Sequence, residues 1–283
     1  MITLNGTWQM NCKGEDSWQE GQVPGTVYTE LLRNGQMKDP YVGENEDEVR
    51  DLSYNDYTYR RTFEVEEKTL QNTKNVLVCE GLDTLADVYL NGTHMGSCEN
   101  MHRTYRFDVT ELLKAGTNEI VVELHSPLKY MEEQYEKRPL WGVSSTVPGY
   151  QHIRKAHCMF GWDWGAHLPD AGIFRPVSLL GINTARIDSV YIKQTHERTG
   201  ETEPGTVRPI TKSVTLTFDV EQEVVGNAER GPKLKNITGG HTCKKCGKAY
   251  TYTVEITAPD GSKTLYENSP VEVKIDAPQL SLI

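Results

Sequence analysis

Short runs rich in Val, Ile, Thr, Tyr and Phe recur along this 283-residue chain, separated by Gly, Asn and Asp, while patterns of helical period are few and brief. Strands that alternate apolar and polar side chains must pair into sheets and stack them to hide one face, so the expected class is all-β. "TYRRTFEVEE", "KNVLVCEGL", "ADVYLNGTHMGSCE", "TYRFDVTELL" and "NEIVVELHSP" each hold strands of ordinary length. Asn91-Gly92 sits between two apolar runs, and Asn-Gly marks a tight antiparallel hairpin because both central turn positions need positive φ. A short helix is expected at "TVYTELLRNGQ", with Val27, Leu31 and Leu32 near one face and Gly35 ending it.

A formal net charge of -10 with no Lys/Arg cluster argues against nucleic acid or an anionic membrane as partner. No run of about 18 apolar residues occurs, and the start "MITLNGTWQM" lacks the pattern of an export signal. The six scattered cysteines read as free thiols in a reducing compartment, so a cytoplasmic protein is expected. No cofactor is expected.

The texture changes after "IFRPVSLLGI", which places a boundary near Asn183 and two domains at 1–182 and 183–283. Alternation at "SVTLTFDVEQEV", "AYTYTVEITAP" and "SPVEVKIDAP" suits a small immunoglobulin-like β-sandwich, without the paired core cysteines of antibody domains. The polar segment Thr195–Arg208 reads as a long hairpin loop.

Two stretches carry candidate chemistry. "KAHCMFGWDWGAHLPDAGIFRPV" sets Asp163 between Trp162 and Trp164 and brackets the trio with Gly161 and Gly165. Asp in such a place can simply cap a turn, with the tryptophans buried. However, three of the five Trp residues (Trp141, Trp162, Trp164) fall close together in sequence, alongside Arg154, Lys155 and His157. Aromatic faces for a C–H surface, with hydrogen-bonding groups for hydroxyls, are what a sugar needs. The second stretch, "GGHTCKKCGKAY", offers His241, Cys243 and Cys246 to a metal. Structural zinc takes four ligands and no fourth follows nearby, so a hairpin tip with two free thiols is the expected reading.

Taken together, "LNGTWQM", "VPGTVYTELL", "YTYRRTF", "EGLDTLADVYLNG", "HRTYRFDVTELLKAGTNEIVVEL", "RKAHCMFGWDWG" and "GIFRPVSL" resemble the amino-terminal part of glycoside hydrolase family 2. "FGWDWG" resembles its β-mannosidase branch in particular. The resemblance covers nearly all of residues 1–182 and implies a galactose-binding-like jelly roll followed by an immunoglobulin-like sandwich. It also implies that Asp163 meets the hydroxyls of the terminal sugar, with Lys155 or Arg154 as its charge partner. One of Trp162 and Trp164 would line the sugar pocket while the other anchors the loop. Ala166 stands where the family commonly has Pro.

The family's catalytic unit is a barrel of roughly 250 residues that follows these two domains, and this chain has no room for it. Its two catalytic glutamates are therefore expected elsewhere. The Asn-Glu pairs here, Asn45-Glu46 and Asn118-Glu119, read as solvated turns. Ser281-Leu282-Ile283 departs from the family's continuation, which suggests truncation or a broken reading frame. The expected partners are thus a β-mannoside or other glycan and the catalytic barrel, with weak self-association through the face that the barrel would cover. The expected function is that of the non-catalytic amino-terminal part of a β-mannosidase. A stand-alone carbohydrate-binding module, or part of another family 2 glycosidase such as a β-galactosidase or β-glucuronidase, is the alternative.

Overall fold

A computed structural model describes residues 1–225 and, beyond them, 237–238, 241–242, 249–250, 253–258, 260–267 and 271–276. The chain is all-β and divides into two compact units, Met1–Gly181 and Ile182–Ile283.

The first unit stacks two sheets. A six-stranded sheet runs in the order Gln19–Val23, Gly6–Cys12, Tyr57–Val65, Gly116–Leu124, Ala86–Leu90, Thr93–Cys98, and a four-stranded sheet in the order Ile2–Thr3, Val177–Ile182, Lys74–Cys79, Tyr105–Asp108. Every second residue of Gly116–Leu124 turns inward, so Asn118, Ile120, Val122 and Leu124 are buried while their neighbours are not. Trp8, Met10 and Tyr59 from the larger sheet meet Leu77, Val177 and Leu179 from the smaller one in a single core. The Trp8 indole N–H, dragged into that core, donates to the Leu4 carbonyl at 2.7 Å.

The turns obey their sequences. Asn91 and Gly92 have φ of 49° and 79° and join Ala86–Leu90 to Thr93–Cys98. The helix expected near Val27 spans Val27–Arg33: Thr26 Oγ1 accepts from the Thr29 N–H, and Gly35, at φ 70°, leads the chain away. A further helix, Pro127–Lys137, packs Leu128 and Met131 into a second cluster with Leu85, Ile153 and Phe160.

In the second unit Ala185–Thr202 pairs with Pro209–Val224, which also pairs with Val271–Asp276. Phe218, Val220 and Val273 form a small core, and Val254, Ile256 and Tyr266 of the hairpin Val254–Thr257/Lys263–Tyr266 pack on it. The polar segment Thr195–Arg208 is not a long loop. Its strands continue to Thr202 and from Pro209, leaving a tip closed by the Glu203 N–H donating to the Arg208 carbonyl at 2.9 Å. The residues there are exposed on both faces, so no apolar alternation signals the pairing.

Gly92 tests the hairpin in isolation, because a Cβ placed there meets nothing within 4 Å. Gly92→Ala should cost about 1–2 kcal/mol through the left-handed backbone alone. In urea, the midpoint should fall with the slope unchanged. An unchanged midpoint would refute this turn.

Candidate functional site

The segment Ile153–Lys155 is extended beside Asn100, with the Met101 N–H donating to the Arg154 carbonyl at 3.0 Å. Alternation sends Ile153 and Lys155 inward and leaves Arg154 exposed. A buried ammonium requires partners. The Lys155 Nζ donates to the Asp83 carboxylate and to the Asp170 carbonyl, the latter at 2.6 Å. Burial pulls the Lys155 pKa below its ordinary value, and the Asp83 carboxylate opposes the shift. Asp170 is buried too. Desolvation raises its carboxyl to about 6, against the Thr26 hydroxyl and the N–H groups of Tyr28 and Ala171, which donate to it.

Between Lys155 and Asp170 the chain leaves the sandwich and returns. A turn of 3-10 helix at His157–Met159 leads to Phe160, which is fully buried in the second cluster and whose carbonyl accepts from the Val147 N–H at 3.0 Å. Phe160 and His167 then form an antiparallel bridge. Trp162 and Gly165 exchange N–H···O bonds of 3.3 and 3.4 Å, so residues 160–167 make a minimal hairpin with Asp163 and Trp164 at its tip. Gly161 turns into it at φ 102°, and a Cβ there would sit 2.4 Å from the His167 ring.

Both tip indoles face outward, Trp162 half-exposed and Trp164 81% exposed, with ring centroids 5.5 Å apart and planes inclined at 53°. Asp163 is exposed between them, and among the described residues no donor reaches its carboxylate. Trp141 is also exposed.

Two expectations are corrected here. Neither Lys155 nor Arg154 is the charge partner of Asp163: Lys155 is committed to Asp83 inside the sandwich, and Arg154 pairs with no carboxylate among the described residues. Neither tryptophan anchors the loop. Phe160 does, because the turn projects residues 162–164 beyond the stem.

Glu46 is not in a solvated turn. It lies in the first turn of the helix Asn45–Arg50, and its Oε1 accepts from the His167 backbone N–H at 2.8 Å and from His167 Nδ1 at 2.6 Å. The His167 N–H, ahead of the ring and Arg50, holds the Glu46 carboxyl below its ordinary range against partial desolvation. Asn118 is not in a solvated turn either: it is buried within the strand Gly116–Leu124, and its side chain braces the preceding turn, receiving the Lys114 N–H and donating to the Lys114 and Gly116 carbonyls.

Of the metal candidates, the His241 backbone lies in the strand His241–Thr242, while Cys243 and Cys246 lie outside the described residues. Among the described residues no group of three His, Cys, Asp or Glu is placed to hold a metal, and no helix is long and apolar enough to cross a membrane. A recess of about 400 Å³ opens elsewhere, near Asp87, His125 and Tyr130. The Asp87 oxygens there are already taken by Ser97, His94 and His125.

Residues 8–175, which hold nearly all of the six-stranded sheet, two strands of the smaller one and the hairpin, match the family described as glycosyl hydrolase 2 galactose-binding domain-like. The chain belongs to that family. It is 35% identical over 196 residues to a β-mannosidase of Capra hircus and 33% over 195 residues to one of Bos taurus, in each case 66% of this chain and 22% of the relative. The chain thus spans about a fifth of the length of these relatives. The crystal structure of a β-D-mannosidase from Dictyoglomus thermophilum superposes over 99% of this chain and 31% of its own, with a TM-score of 0.72 and 28% identity. An exo-chitosanase of Amycolatopsis orientalis shares the fold, with a TM-score of 0.60 at 15% identity. The chain accordingly carries the galactose-binding-like domain of that family, and the relatives it resembles are named β-mannosidases.

Lys155→Met would strand the Asp83 carboxylate in the core and should cost about 3–5 kcal/mol, as breaking a buried pair does. The double variant Lys155→Met/Asp83→Asn should recover part of that. Urea denaturation of the three proteins measures it, and a single variant as stable as the wild type would refute a buried pair.

Proposed function

We propose that this chain is the non-catalytic amino-terminal part of a β-mannosidase that releases terminal β-linked mannose with retention. Its Trp162–Asp163–Trp164 hairpin contributes to the site of the terminal sugar. Asp163 accepts from two neighbouring hydroxyls, and an indole face packs against the C–H surface of the ring. The observation that carries the reading is an unpaired, exposed carboxylate between two exposed indoles on a hairpin whose stem is buried and hydrogen-bonded. Solvent-facing tryptophans with no core role, on a chain whose relatives are named β-mannosidases, favour a ligand over a structural use.

In this reading the reacting carboxyl groups belong to a catalytic barrel domain of the full-length protein, and retention requires them to lie about 5–5.5 Å apart. The second unit serves as an immunoglobulin-like spacer, and the protein works in the cytoplasm. The alternative is a self-sufficient carbohydrate-binding module. It draws support from the hairpin stem, whose partners Glu46, Ser145 and Val147 all lie within the first unit.

Isothermal titration of the chain with mannose and β-1,4-mannobiose, paired with a chromogenic β-mannoside, separates these readings. No turnover is expected. Loss of hydrogen bonds to a charged group should weaken mannobiose binding on the order of tenfold or more in Asp163→Ala. Binding that is indifferent to Asp163→Ala would contradict a sugar-facing role for the hairpin, and turnover by the chain alone would contradict the non-catalytic assignment.

A further inference from the structure

Three segments far apart in sequence meet at the His167 ring. Glu46, on the helix Asn45–Arg50, accepts from its Nδ1 side and from its backbone N–H, both through Oε1. The Ser145 carbonyl accepts on the other edge, 2.9 Å from Nε2. Gly161 supplies the floor, since no side chain fits at that position against the ring. The ring is thus held from both edges, by a carboxylate on one side and a carbonyl on the other.

These contacts bear on one degree of freedom. The stem of the hairpin is only two pairs long, the Phe160–His167 bridge and the Trp162–Gly165 pair that closes the turn. Phe160 is fixed by burial, whereas His167 is partly exposed and has no comparable apolar anchor. Left to the bridge alone, the tip could twist about Phe160 and swing Asp163 and both indoles together. The clasp on His167 fixes the second leg of the stem and so the direction in which the tip points. Ala166 cannot contribute the fixed φ that a proline would.

We propose that His167, held between Glu46 and the Ser145 carbonyl, is the positioning residue of the Trp162–Asp163–Trp164 hairpin. It acts through the stem without touching the sugar. This rests on the glycan-binding reading for its purpose but not for its test. A fixed tip binds a sugar with less ordering cost than a swinging one, so the clasp sets affinity without adding a contact.

The indole pair is its own reporter. Two indoles 5.5 Å apart and inclined at 53° couple their transitions and give paired bands of opposite sign in far-ultraviolet circular dichroism. Subtracting the spectrum of Trp164→Phe isolates that couplet in the 283-residue chain, with no sugar present. His167→Ala should lose it, whereas His167→Asn, whose amide takes the place of the Nδ1 edge, should keep it. Glu46→Ala, a change on a partly exposed helix position, should diminish it and serves as the deciding variant if His167→Ala fails to fold. A folded His167→Ala or Glu46→Ala chain with the full wild-type couplet would overturn the proposal, as would loss of the couplet in His167→Asn. A chain that keeps the couplet yet binds no sugar would instead count against the glycan reading and leave the clasp standing.

Discussion

One ammonium group organises the whole loop region. Lys155 lies just before the segment that leaves the sandwich and Asp170 just after it, and the Lys155 Nζ joins the two by donating to the Asp170 carbonyl. Its second bond, to Asp83, ties that junction to the segment connecting the strands Lys74–Cys79 and Ala86–Leu90, which also bridges Gly172. A cation at this depth is tolerated only with such partners, so the requirement to satisfy it dictates where both ends of the loop must sit. With the ends fixed, closing the intervening residues into an ordered excursion costs far less entropy than it would for a free segment.

Within that frame the division of labour is between burial and display. Phe160 takes the apolar anchoring, His167 with Glu46 takes the polar anchoring, and Gly161 makes room for both. The turn then has no further structural demand on Trp162, Asp163 and Trp164, which explains why two large aromatics and a charge can stand in water there. Exposed tryptophans with no packing duty are the residues a monomeric surface least favours, which is the ground on which the proposed function gives them to a ligand.

Much of the fold is legible in the sequence, because alternation and turn chemistry act locally. The strands flanking Asn91-Gly92 and the capped helix at Val27–Arg33 follow from residues within a few positions of one another. The helix Pro127–Lys137 had a local signal as well: Ser126 caps it by accepting from the Lys129 N–H, with Pro127 at its first position. The paired strands around Thr195–Arg208 had none, since exposure on both faces removes the apolar alternation. At the site, the Trp-Asp-Trp cluster stands out in the sequence but its supports do not. Lys155 finds Asp83 72 residues away and His167 finds Glu46 121 residues away. Lys155 and Asp163, close in sequence, suggest an ion pair that strand alternation forbids by turning Lys155 inward.

The central claim is that the hairpin is already formed and held before any ligand arrives. Native-state amide hydrogen exchange on the unliganded chain addresses it most directly, read at Val147 and His167, whose N–H groups bond to the Phe160 carbonyl and to Glu46. Protection at both amides well above that of an unstructured peptide is the predicted result. Exchange at both at the rate of an unstructured peptide, with the core strands still protected, would mean that the hairpin is not preformed.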